Sequence, residues 1–198
     1  MTPRPANLLV LLSGSGRTLM NLADAIDCGQ LPAQIQLAVA SKPCLGEERA
    51  RARGFQTRII RGVIPPEQLA RLADEAHADW IVLAGYVKMV LIPDRLRGRV
   101  VNIHPALLPD FGGPGMYGHR VHEAVLASGR SESGCTVHFC DDRYDTGPII
   151  LQRRCPVLPG DTPDTLAARV FDQECLAYPE ALRSLIVQQR APTVREGS

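Results

Sequence analysis

Short apolar runs alternate with amphipathic stretches along most of the chain. Runs of strand length fall at Asn7–Leu12, Gln36–Ala40, Thr57–Ile60, Trp80–Ala84, Arg99–Ile103, Cys135–Cys140 and Ile149–Val157. Between them, apolar positions recur with helical period over Thr18–Asp27, Gly46–Arg53, Pro66–His77, Gly118–Ala127 and Thr162–Gln189. This repeated order of strand and helix predicts an α/β fold: a Rossmann-like, mostly parallel twisted sheet of about seven strands with helices on both faces. The last helix opens on Asp161-Thr162-Pro163-Asp164, which supplies a capping side chain and a proline for the first turn. Pro179 lies inside that helix and is expected to break or kink it, leaving room for two helices there, because proline has no N–H and its ring collides with the preceding turn. Trp80 and Met89 sit in apolar runs and read as core residues.

The composition narrows the picture. A chain of 198 residues holds one sizeable core and is short for two, so a single domain over 1–198 is expected, with 191–198 as a disordered tail. With 22 basic and 21 acidic residues, a net charge of +1 and no basic run, neither nucleic acid nor a membrane surface is expected as a partner. The apolar runs are shorter than the about 18 residues needed to span a bilayer. Met1-Thr2-Pro3-Arg4-Pro5 leads into a strand rather than a signal-peptide core, so a cytoplasmic location is expected. The six cysteines contain no C-x-x-C pair and read as buried free thiols. In GCTVHFC, Cys135 on a strand faces away from His138 and Cys140, so the three cannot chelate one ion. His119 and His122 share a helix face but lack a zinc-protease pattern, and no metal is expected. His138 reads as a packed strand residue, its role in any site left open.

Candidate chemistry sits in two loops. Asn102 and His104 alternate with Val101 and Ile103, so on an extended strand both polar side chains leave by one face, and Pro105 ends the strand. In open α/β sheets such strand ends open onto the ligand crevice. The second loop, Asp141-Asp142-Arg143-Tyr144-Asp145-Thr146-Gly147-Pro148, brings a carboxylate. An amide, an imidazole and a carboxylate are the groups needed to pass an acyl unit to an amine: an oxyanion donor, a proton carrier and a charge that tunes it. Near the N-terminus, Ser13-Gly14-Ser15-Gly16-Arg17-Thr18 joins the first strand to the first helix. Glycines let a ligand approach the backbone, helix amides point outward and Arg17 adds charge, which suits a phosphate. The loop lacks the glycine spacing of the dinucleotide fingerprint and the Gly-Lys-Ser/Thr of a Walker A loop, so a monophosphate is favoured.

Taken together, SGSGRTLMNL, LAGYVKMV, NIHPALLPDFGGPGMYGHRVHEAVL and GCTVHFCDDRYDTGPIILQ closely resemble the phosphoribosylglycinamide formyltransferase family. That is the purine-pathway branch of the formyl-transferring superfamily, and the resemblance runs from about Asn7 to Tyr178. It implies a formyltransferase fold, Asn102, His104 and Asp145 as the catalytic trio, and a phosphate of the ribonucleotide held at Gly14, Ser15, Gly16, Arg17 and Thr18. It further implies Glu174 at the ribose or amine end, and 10-formyltetrahydrofolate as co-substrate. The folate would lie against Val87, Lys88, Met89, Val90, Asn102 and the loop Asp141, Asp142, Arg143, Tyr144, Asp145. The implied partners are the two small substrates alone, with the chain a monomer or homodimer. The chain departs from the family at Lys88, where many relatives carry arginine, at Pro114, where relatives often carry lysine, and in a stretch from Ile60 to Leu72 that is shorter than in better-known relatives. Alternative readings are a formyltetrahydrofolate hydrolase, a methionyl-tRNA formyltransferase, a non-catalytic folate- or nucleotide-binding module and a dehydrogenase. The first two need further domains, and the last lacks its fingerprint and an evident ribose-binding acid.

Overall fold

The computed structural model describes residues 4–188; the tail expected at 191–198 lies outside them. The strands β1 (Ala6–Leu12), β2 (Ala33–Ala40), β3 (Thr57–Ile59), β4 (Trp80–Leu83), β5 (Val100–His104), β6 (Glu132–Phe139) and β7 (Ile149–Pro156) form a 7-stranded sheet in the order β3-β2-β1-β4-β5-β6-β7. The helices are α1 (Arg17–Asp27), α2 (Leu45–Ala52), α3 (Pro66–Glu75), α4 (His119–Ala127) and α5 (Pro163–Gln188). Strands β1 to β5 pair in parallel, whereas β6 and β7 are antiparallel to their neighbours. A short 3-10 turn, Asp94–Leu96, precedes β5.

The central strand shows why the sheet is covered on both faces. All of β1 is buried. Leu8, Val10 and Leu12 join a core with Leu19 and Leu22 of α1, Val125 of α4 and Leu166, Val170 and Leu182 of α5. Leu9 and Leu11 point the other way, into a second core with Leu69, Leu72 and Ala73 of α3. The period of two therefore feeds two cores from one strand, each buried leucine contributing about 1.5–3 kcal/mol.

Of the break or kink expected at Pro179, the break does not occur. Helix α5 runs through it, and the carbonyl four residues back, on Cys175, receives the side-chain amide of Asn21 from α1 at 3.2 Å. The bond that proline cannot make is thus replaced from a neighbouring helix, while Ala177, Tyr178 and Pro179 pack inward. The Tyr178 hydroxyl, fully buried, lies 3.0 Å from the Leu83 carbonyl and 2.9 Å from that of Val101, pinning α5 over β4 and β5. Asn21→Ala is expected to lower stability by about 1–2 kcal/mol, read as a drop in the denaturant midpoint, because it strands the Cys175 carbonyl. No change in midpoint would mean that the carbonyl has no need of Asn21.

The strand order places the site. β1 lies between β2 and β4, so the connections that leave β1 and β4 at their carboxyl ends diverge to opposite sides, the switch point at which open α/β sheets bind ligands.

Candidate active site

A cleft of about 700 Å³ opens above the carboxyl ends of β1, β4 and β5, a volume typical of small-molecule sites. At one end Gly14–Thr18 line it. Gly16 caps α1 in the left-handed conformation, φ 74°, and a Cβ there would meet the Gly46 Cα at 2.5 Å. Gly46 in turn donates from its N–H to the Gly14 carbonyl at 3.0 Å, and the Arg49 guanidinium holds the Ser15 carbonyl at 2.9 Å. The loop is thus laid against the start of α2 by a glycine-on-glycine contact. The first turn of α1 carries no capping side chain and no acidic residue, so its free amides suit an anion. Arg17 stands at that turn with its guanidinium 3.7 Å above the Phe171 ring centroid on α5, a cation–π contact that fixes its direction.

Glu174 lies one turn beyond Phe171 and lines the same end of the cleft. Burial pushes its carboxyl up to about 8, with Arg17 the opposing charge. A folded pKa raised above the unfolded one favours folding at low pH, and that contribution is lost as pH rises from the unfolded value near 4.5 through about 8. Glu174→Gln is therefore expected to gain thermal stability over the parent progressively between those values and to level off above them. A constant difference in melting temperature across that window would contradict the shift.

The trio is assembled at the centre. Asn102 and His104 emerge from β5 on the cleft side, opposite Val101 and Ile103, which enter the core. His104 is 3% exposed, with Nε2 at 2.8 Å from the Phe111 carbonyl and Nδ1 at 3.5 Å from Asp145 Oδ2. Both ring nitrogens thus face acceptors, the environment of an imidazolium. Burial nevertheless outweighs Asp145 and Phe111, and the net shift of His104 is downward. A carboxylate beside an imidazole raises its pKa, but here that is only one of the competing effects. For Asp145 itself burial acts upward, but His138, His104 and the Gly113 amide, which donates to Oδ2 at 2.9 Å, together hold it below the usual carboxylate range.

His138 is the residue that strand patterning left open. It is buried on β6, its Nε2 lies 3.1 Å from Asn102 Nδ2 and 3.6 Å from Asp145 Oδ1, and its Nδ1 faces the Phe139 carbonyl at 2.9 Å. It joins the trio into a network of four. The pairing of Asn102 with His138 across the β5–β6 ladder is invisible before the antiparallel register is known.

The loop that delivers Asp145 is tightly built. Asp145 adopts φ 58° and Phe111 φ 55°, both left-handed, and a Cβ on Gly147 would lie 1.9 Å from the Phe139 carbonyl. Asp141 accepts from Thr146 Oγ1 at 2.8 Å and from the Arg143 amide at 2.9 Å, so its carboxylate shapes the turn. Asp142 is not among the cleft-lining residues and pairs with Arg97 at 2.9 Å; of the expected folate loop it is the member that points elsewhere. Arg143 and Tyr144 line the cleft, as do Val87, Lys88, Met89 and Val90. Met89 is half-buried at the cleft rather than a core residue, whereas Trp80 is buried in the core. His119 and His122 diverge: His119 bonds Asp164 at 2.8 Å, while His122 is buried beside the cleft and pushed down to about 4 by burial and by its histidine neighbours. Of the cysteines, Cys135 and Cys155 are buried, and Cys28 is exposed, against the expectation that all are buried.

The crevice at the switch point carries an amide, an imidazole and a carboxylate beside an uncapped helix, the set of groups that acyl transfer requires. Residues 6–182 match the formyl transferase family model, and the chain belongs to that family. Its relatives include phosphoribosylglycinamide formyltransferases: that of Escherichia coli (strain K12) is 36% identical over 183 residues, covering 87% of this chain and 84% of the relative. The chloroplastic enzyme of Arabidopsis thaliana is 36% identical, covering 92% of this chain, which spans 66% of that longer relative. The crystal structure of glycinamide ribonucleotide transformylase 1 from Symbiobacterium toebii superposes with a TM-score of 0.86 at 32% identity, covering 96% of this chain and 92% of that one. Among the described residues no helix is long and apolar enough to cross a membrane.

Proposed function

We propose that this chain transfers the formyl group of 10-formyltetrahydrofolate to the amine of phosphoribosylglycinamide, a step of purine synthesis. The observation that carries the reading is the sharing of one cleft by the uncapped α1 terminus at Gly16-Arg17-Thr18 and the Asn102–His104–Asp145 network. One end is fitted to a monophosphate and the centre to the reacting carbon. Val87, Met89, Val90 and Tyr144 form an apolar wall for the pterin, with Lys88 among them as the nearby cation.

In this mechanism Arg17 and the α1 amides hold the phosphate, and Glu174 accepts from the ribose or amine end. Asn102 donates to the oxygen of the formyl group as the amine nitrogen bonds to its carbon and negative charge grows there. The His104 ring, whose proton affinity burial lowers, gains proton affinity as that charge develops beside it, and Asp145 stabilises the imidazolium so formed. The proton leaving the amine passes through the His104–Asp145 pair, by way of a water, to the folate nitrogen as the carbon–nitrogen bond to the donor breaks. Holding both substrates in one cleft supplies much of the remaining acceleration. We expect the chain to act on small soluble substrates in the cytoplasm, as a monomer or homodimer. Mass spectrometry of the acceptor after incubation with both substrates is expected to show a formyl group on the glycinamide nitrogen. An unmodified acceptor alongside consumed donor would contradict the proposal.

A further inference from the structure

The phosphate loop and the loop after β4 meet on one buried oxygen. Ser13, 4% exposed, joins the end of β1 to Gly14–Thr18. Its Oγ accepts the backbone N–H of Val87 at 3.1 Å and the Ser41 hydroxyl at 2.8 Å. Val87 opens the segment that walls the donor end of the cleft. Ser41 follows β2 and leads to Gly46, the residue on which Gly16 is laid. Ser13 is not among the residues lining the cleft, so it touches neither substrate.

We infer that Ser13 is a positioning residue that couples the two substrate subsites. The inference takes the identity of the two ligands from the proposed function and the coupling from the geometry. An anion held by the amides of Gly16 to Thr18 fixes the loop that begins at Ser13. The fixed hydroxyl then keeps the Val87 amide, and with it the donor wall, in its binding position. Both acceptor sites of the oxygen are used, so displacing either loop breaks a bond that the other also depends on. Coupling of this kind is reciprocal: each ligand tightens the other by the same factor. A single buried hydrogen bond between neutral groups corresponds to about a fivefold change in affinity.

The test is titration calorimetry of the whole chain with tetrahydrofolate, which has no formyl group to transfer, with and without saturating phosphoribosylglycinamide. The parent is expected to bind the folate about fivefold more tightly in the presence of the ribonucleotide. Ser13→Ala is expected to bring that ratio close to one, and Ser13→Thr, which keeps the hydroxyl, to retain it. A parent ratio of one, or a Ser13→Ala ratio equal to the parent's, overturns the inference. A second measurement needs no variant: phosphoribosylglycinamide alone should slow hydrogen exchange of the Val87 amide about fivefold, and unchanged exchange overturns the inference too. If the parent binds neither ligand, it is the proposed function that fails.

Discussion

Asp145→Asn is expected to lower kcat by about two to four orders of magnitude, the range found for positioned acid-base and oxyanion groups. The substitution is clean for structural reasons. Asparagine matches aspartate in shape and tolerates the left-handed backbone that Asp145 adopts at φ 58°. Its side-chain oxygen can still accept from the Gly113 amide. What disappears is the charge facing His104 at 3.5 Å and His138 at 3.6 Å. Burial, already the largest influence on His104, is then opposed by the Phe111 carbonyl alone, and the imidazolium needed at the transition state becomes harder to form. The phosphate loop is untouched, so the KM for phosphoribosylglycinamide should change little. Steady-state kinetics with a matched melting curve measures both, and turnover near that of the parent would remove Asp145 from the mechanism.

Gly16→Ala is the second large effect, and Gly14→Ala is its control. At Gly16 a methyl group meets two obstacles: a left-handed backbone, φ 74°, and the Gly46 Cα at 2.5 Å, which is backbone and cannot swing aside. Strain and overpacking together are expected to cost about 2–4 kcal/mol of stability. Shifting the loop off Gly46 also misaligns the α1 amides, and the KM for the ribonucleotide should rise by about 100-fold, equivalent to losing one or two charge-assisted hydrogen bonds. At Gly14 the same methyl group meets nothing within 4 Å, and stability should stay within about 0.5 kcal/mol of the parent. Urea unfolding and initial rates for the two variants give the comparison. Equal behaviour would show that the packing of Gly16 on Gly46 does not shape the phosphate site.

Much of this was readable from residue order alone. Apolar runs located each strand, and the proline and capping residues at Asp161–Asp164 located the start of α5, because these signals act within a few residues of themselves. The meeting of Asn102, His104 and Asp145 in one cleft was readable for the same reason: Asn102 and His104 declare a shared face by alternation, and the Asp145 loop is dense in turn-forming residues. What was not readable depends on partners distant in sequence. Pro179 is tolerated because Asn21, on another helix, supplies the missing donor. His138 enters the site because β6 runs antiparallel to β5 and sets it beside Asn102. Asp142 leaves the site because Arg97 claims it. Met89 looked like core because apolar character alone does not separate a core from an apolar ligand wall. Ser13 and Gly46 carry no local signal of their roles, which exist only once the ends of β1, β2 and β4 are side by side. The net downward shift of His104 likewise follows from depth of burial, a quantity fixed by packing and not by the charge of a neighbour.

The central claim is that the cleft hands a formyl group to the amine of a phosphorylated ribose compound and not to water. Spectrophotometric detection of tetrahydrofolate released from 10-formyltetrahydrofolate, with and without phosphoribosylglycinamide, tests this most directly. Release that depends on the ribonucleotide is the predicted result. Equal release in its absence would make the chain a hydrolase, and no release with both substrates present would contradict the account altogether.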